Sequence, residues 1–130
     1  MKKIKIDVVA VPLSGHLYPT LNLVKPLLDD PTMEIRVFTG PQKKAVAESL
    51  GFTVVPILED KVEEFERVAN NDKKHNLFSA YRQLSKSLDL INHVSDQLLE
   101  EWRVNRPDIV IADFITLSAG FVAEELEIPW

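Results

Sequence analysis

Three short runs in this chain are almost wholly apolar: residues 4–11, "FTVVPI" and "DIVIADF". A fourth, "MEIRVFT", alternates. A strand that is apolar on both sides needs cover on both faces, and parallel sheets flanked by helices supply it. The intervening segments have helical spacing. Residues 18–28 carry Leu21, Val24, Leu27 and Leu28 on one face. Pro19 suits the first turn of such a helix, and Pro26 should kink its interior. "QKKAVAESL" reads as a second helix that stops at Gly51. Residues 61–69 place Val62, Phe65 and Ala69 together, as a short helix would. "NNDKKHN" breaks it with a polar loop that holds Lys73, Lys74 and His75. Leu77, Tyr81, Leu84, Leu88, Ile91, Val94, Leu98 and Trp102 then recur at steps of three and four, which predicts one long amphipathic helix or two end to end. Residues 117–126 form a last helix, and "EIPW" reads as the start of a fifth strand.

Strands alternating with helices predict an α/β fold, a Rossmann-like open parallel sheet with helices on both faces and strand order 3-2-1-4. A chain of 130 residues holds one such domain, here residues 1–130. The promise of a fifth strand at Trp130 suggests a piece of a longer protein. Under that reading residues 108–114 form an open edge without lysine or proline, which invites self-association.

Composition narrows the partners. Lys and Arg total 15 against 20 Asp and Glu, a net charge of −5, which argues against nucleic acid. With no cysteine, disulfides and thiolate metal sites are excluded. Lys5 and Asp7 interrupt the first apolar run, so it is a strand and not a secretion signal. No apolar run nears the roughly twenty residues that span a membrane. The expected location is cytoplasmic.

In open α/β sheets ligands bind at the carboxyl ends of strands, where the strand order reverses. His16 follows the first strand, and Asp113 ends the fourth. With order 3-2-1-4 they face one crevice. A carboxylate that holds one imidazole nitrogen fixes the tautomer and balances the imidazolium when the other nitrogen takes a proton. Taken singly, each residue also fits a blander role, His16 as a helix cap and Asp113 as a turn residue. His75 and His93 read as loop and helix-flank residues. Ser14 lies in no G-x-S-x-G elbow, "SGH" has too few glycines for a phosphate loop, and no spacing suggests a metal. Phe78 and Tyr81 lie at helical spacing, as core residues do.

The stretch "VPLSGHLYPTLNLVKPLL" resembles the opening of the UDP-glycosyltransferase superfamily, which includes the macrolide glycosyltransferases: a strand, then G-H-x-x-P, matched by Gly15, His16 and Pro19, then a leucine-rich helix. "MEIRVFTG", "AESLGFTVVPI" and "RPDIVIADFITLSAGFVAEELEIPW" are similar to later passages of that family. The resemblance implies a GT-B fold, two Rossmann-like domains around a cleft, with this chain similar to the first part of the N-terminal, acceptor-binding domain. It implies that His16 deprotonates an acceptor hydroxyl and that Asp113 balances its charge. The hydroxyl then attacks and inverts the anomeric carbon of a nucleotide sugar without a metal or other cofactor. Ser14, Gly15, Leu17, Phe114 and Phe78 are the candidate acceptor contacts. The acceptor would be a small molecule or a lipid. The donor would be held mainly by a C-terminal domain outside this chain, so the chain alone is expected to be inactive. Two departures stand out: Pro26 in the first helix, and the lack of the G-G-T-G-G-H loop of the lipid-linked peptidoglycan enzymes, which favours small acceptors. The alternatives are a non-enzymatic flavodoxin-like binding module and the acceptor half of a two-chain transferase.

Overall fold

A computed structural model describes residues 2–70 and 76–130. Strands β1 (Ile4–Val9), β2 (Met33–Thr39), β3 (Thr53–Pro56) and β4 (Ile109–Ala112) form one sheet in the order β3-β2-β1-β4. All three pairings are parallel. The central strand explains its own sequence: Ile6 through Val9 are all buried. Ile6 and Val8 face α1 (Ser14–Val24) and α2 (Lys44–Ser49), in a core with Leu17, Leu21, Val24, Ile35, Val37 and Ala47. Val9 faces the opposite layer: α3 (Val62–Ala69), α4 (Leu77–Val104) and α5 (Leu117–Glu125), with Phe38, Phe65, Leu98, Trp102, Val110 and Val122. The expected α/β architecture and strand order therefore hold. His75, Lys73 and Lys74 lie outside the described residues.

The first helix differs from its predicted bounds. It begins at Ser14, four residues before Tyr18, and it ends at Val24. His16 thus sits in the first helical turn. Pro19 lies inside the helix, past that first turn. Pro26 does not kink a continuing helix; the chain tightens into a 3-10 turn over Lys25–Asp29. Proline at 26 has no N–H to return to Asn22, so the α-pattern lapses there.

Residues 77–104 form one helix, capped by Asn76 and Ser79, which bond each other's backbone N–H reciprocally. Its apolar stripe is not all core. Val94, Leu98 and Trp102 are buried, whereas Leu77, Tyr81, Leu84 and Leu88 are exposed. Geometry accounts for this: at ~1.5 Å per residue the helix is about 42 Å long, and a seven-residue strand spans only ~23 Å. The N-terminal half of α4 therefore overruns the sheet.

One polar cluster anchors the α4 layer. Asp7, wholly buried in β1, takes a two-pronged bond from its β2 neighbour Arg36, Nε to Oδ1 at 2.9 Å and Nη2 to Oδ2 at 2.6 Å. Trp102 Nε1 of α4 donates to the same Oδ2 at 2.8 Å, and Arg36 reaches Glu101 at 2.8 Å. Burial pushes the Asp7 carboxyl above its ordinary range, against the opposing pull of Arg36 and Trp102. A lone aspartate that merely breaks an apolar run gives no hint of this joint between two strands and a helix.

The tail also departs from expectation. "EIPW" forms no fifth strand. It folds back over the outer edge of β4, where Val110 N donates to Pro129 O at 2.8 Å. Proline lacks a donor but keeps its acceptor, so Pro129 covers one point of that edge. Arg106 holds the returning chain through the carbonyls of Leu126 and Glu127. Trp130 lies across Gly120, where any Cβ would stand 2.8 Å from the ring.

Replacing Arg36 by methionine should strand the buried carboxylate and cost about 3–5 kcal/mol at neutral pH, as one-sided removal of a buried pair does. With Arg36 gone, the folded-state pKa of Asp7 rises further above its unfolded value. Stability from that group is then present below the unfolded pKa and lost as pH rises through the folded one. Denaturant unfolding of the Arg36→Met chain should accordingly show a deficit that shrinks on acidification from pH 7 towards pH 5. A deficit independent of pH would contradict this account.

Candidate functional site

The site lies at the carboxyl ends of β1 and β4. After Val9 the chain passes Val11, Pro12 and Leu13 and enters α1, whose first turn carries Ser14, Gly15 and His16. Leu13 caps this helix without a side-chain bond. Across the crevice, Asp113 follows β4 and extends its pairing with β1, its N–H donating to Val9 O at 3.0 Å. The two chain ends bring His16 Nδ1 to 2.8 Å from Asp113 Oδ2. This is ion-pair distance, but the contact is off the line of a hydrogen bond, so Oδ2 remains a buried acceptor with no hydrogen-bond partner. The imidazole is 23% exposed and the carboxylate 7%, so the ring is reachable while its partner is shielded. The Phe114 ring flanks the imidazole, centroids 5.5 Å apart, and is otherwise open to solvent.

The other candidate contacts divide. Ser14 and Gly15 are exposed beside His16, and nothing lies within 4 Å of where a Gly15 side chain would begin. Ser14 Oγ accepts from Lys43 Nζ at 3.0 Å, which brings a cation from beyond the end of β2 to the site's rim. Leu17 is not a surface contact. It is fully buried beneath the sheet with Leu21 and Val24, because a helix beginning at Ser14 turns residues 17, 21 and 24 inward together. Phe78 lies in the first turn of α4. It stands exposed on the overhanging start of α4, stacked with the Arg82 guanidinium. Of the other described histidine, the reading as a helix-flank residue needs one addition: His93 Nε2 lies 2.9 Å from Asp60 Oδ1, and this bond holds the Asp60 carboxyl below its usual range. Among the described residues no cluster of three or more acidic or histidine side chains could hold a metal.

Sequence reasoning missed the cavity beside the pair. It measures about 230 Å³ and is lined mainly by apolar side chains, among them Leu13, Ile57, Leu58, Phe65, Leu90 and Ile115. Leu13 leads into the helix that carries His16. Thr116, also in the wall, closes the turn that carries Asp113. Leu58 adopts a left-handed backbone, φ 59°, unusual for a branched residue, with its N–H bonded to Gln97 at 3.0 Å. A signal was present in the chain: apolar residues continue past two strand ends, at Val11–Leu13 and Ile57–Leu58, where polar turns are usual.

The chain as a whole is similar to several known proteins. The chain is 29% identical over 132 residues to the NDP-glycosyltransferase YjiC of Bacillus subtilis (strain 168), a match covering 99% of this chain and 31% of that protein. The solved structure of CalG4, the calicheamicin glycosyltransferase, matches 99% of this chain and 32% of its own, with a TM-score of 0.80 at 21% identity. SsfS6, a glycosyltransferase of Streptomyces sp. SF2575 solved with thymidine diphosphate, matches 98% and 37%, with a TM-score of 0.71 at 19% identity. No family model matches. The fold is that of part of a GT-B glycosyltransferase, and the resemblance to that superfamily stands. The chain spans about a third of the length of these relatives.

An environment-sensitive apolar dye should bind the cavity with a rise in emission. Leu90→Trp, which fills part of the space, should weaken that binding at least several-fold while circular dichroism stays unchanged. Equal binding by both chains would place the dye elsewhere.

Proposed function

We propose that this chain is the acceptor-binding, catalytic-base part of an inverting glycosyltransferase. The observation that carries the reading is the approach of His16 Nδ1 to Asp113 Oδ2, on turns whose neighbouring residues Leu13 and Thr116 line an apolar cavity. With Nδ1 engaged, Nε2 is the nitrogen left to take a proton from an acceptor hydroxyl. A helix N-terminus carries partial positive charge and is a poor place for an imidazolium. The Asp113 carboxylate supplies the opposing charge as the proton arrives. The resulting alkoxide-like oxygen attacks the anomeric carbon of a nucleotide sugar from the face opposite the leaving diphosphate, which inverts that centre. The cavity favours an apolar small molecule that presents one hydroxyl to His16. Ser14, Gly15 and Phe114 are exposed beside His16 and are the proposed acceptor contacts outside the cavity. The nucleotide sugar is the co-substrate, and a donor-binding domain of the kind present in the longer relatives would hold it. No resident metal or cofactor enters the scheme.

The test joins this chain to the donor-binding half of a related transferase. His16→Ala should lower sugar transfer by roughly 10²–10⁴-fold, the usual worth of a general base. Asp113→Asn should retain the fold and lose most of the activity. The unjoined 130-residue chain should transfer no sugar, since catalysis requires both substrates held together. Near-normal turnover by the His16→Ala protein across neutral pH would refute the assignment.

The open edge supports a second, smaller proposal. Among the described residues the tail supplies one backbone bond to the outer side of β4, and Phe114, Leu117 and Phe121 are exposed nearby. The chain should self-associate through the edge at 108–114. Sedimentation at high concentration should reveal a dimer, and a clean monomer would count against it.

A further inference from the structure

The Asp113 carboxylate is held by surprisingly little of its own. Among the described residues no hydrogen bond fixes it, and its one close contact is His16 itself. Its position therefore depends on the backbone that presents it. That backbone is a tight turn from Asp113 to Thr116, closed by Thr116 N to Asp113 O at 2.9 Å. The Thr116 side chain reinforces the turn. Its hydroxyl lies 2.6 Å from the same Asp113 carbonyl and 3.2 Å from the carbonyl of Val9. Only one proton is available, so it is shared between two acceptors, with the shorter bond to Asp113.

These two carbonyls belong to the two chain segments that carry the pair. Val9 ends β1 and leads into the helix of His16. Asp113 ends β4. Val9 O already receives Asp113 N, so the Thr116 hydroxyl adds a second link at the same point. The residue is 8% exposed, and water competes little for its hydroxyl. Thr116 O in turn accepts Ala119 N at the start of α5. The buried hydroxyl thus joins the end of β1 to the turn after β4, and the same residue's carbonyl ties that turn to the following helix.

We propose that Thr116 is a positioning residue, which sets the Asp113 carboxylate against His16 Nδ1 through the Val9 and Asp113 carbonyls. This rests on the reading of His16 and Asp113 as a working pair. Without the hydroxyl, the backbone bonds Thr116 N to Asp113 O and Asp113 N to Val9 O remain, but the second link between the turn and β1 is lost. The turn can then rotate, and the carboxylate moves off the ring nitrogen. The carboxylate charge then no longer favours a proton on the nearby Nδ1, and the proton of the neutral imidazole passes to Nε2, the nitrogen that should stay free as the base.

The ring tautomer is the direct readout, and it requires no sugar transfer. Nitrogen-15 chemical shifts of the neutral His16 imidazole in the 130-residue chain should report mainly the Nδ1–H form. Thr116→Val, equal in shape and lacking the hydroxyl, should lose most of that form. Thr116→Ser should restore it, which loss of packing alone would not explain. Asp113→Asn serves as the reference for a broken pair. Dispersed methyl signals monitor folding, and if the valine chain does not fold, Thr116→Ala takes its place, with the same loss expected. A folded valine or alanine chain that keeps the Nδ1–H form would overturn the proposal. Loss of the form in these chains together with undiminished transfer by His16→Ala in the joined protein would leave the positioning role intact and remove only the catalytic reading.

Discussion

The pairing of β1 with β4 is the constraint on which the rest of this structure depends. These strands are far apart in sequence, and their contact places the first turn of α1 opposite the turn after β4. Chain leaving β1 turns toward one face of the sheet, to α1, and chain leaving β4 turns toward the other, to α5. Divergence of two connections from neighbouring strands opens a crevice that no side chain has to excavate. His16 and Asp113 meet across it because His16 lies in the first turn of α1 and Asp113 is the first residue after β4.

The two layers of helices are secured by different physics. The α1 and α2 layer is apolar throughout its buried face, from Leu17 to Ala47. The α4 layer combines an apolar core with the Asp7–Arg36–Trp102 cluster. An apolar contact tolerates sliding, whereas a buried carboxylate bonded by a guanidinium and an indole admits one arrangement. That cluster fixes the C-terminal half of α4 against the sheet. The N-terminal half extends past it, and with α3 it forms the wall of the cavity. The same helix is thus core at Trp102 and cavity wall at Leu90. The cavity exists because the strand ends and the overhanging helices diverge beyond the reach of the sheet's own side chains.

Much of this was determined by the sequence itself. Apolar runs fixed four strands, three- and four-residue steps fixed the helices, and the rule for strand order brought His16 and Asp113 to one crevice. Those features are local in origin: a period of two or of 3.6 reports backbone geometry, and the chemistry of a strand end follows from it. Only the tertiary structure decided that Leu17 belongs to the core, since that depends on the rotational phase of a helix that starts at Ser14. It alone decided that Phe78 is exposed and not part of the core, that Asp7 is bound by Arg36 and Trp102, that Pro129 returns to cap Val110, and that Thr116 ties Val9 to Asp113. Each is a meeting of residues with no shared periodicity, and it exists only where separate elements pack.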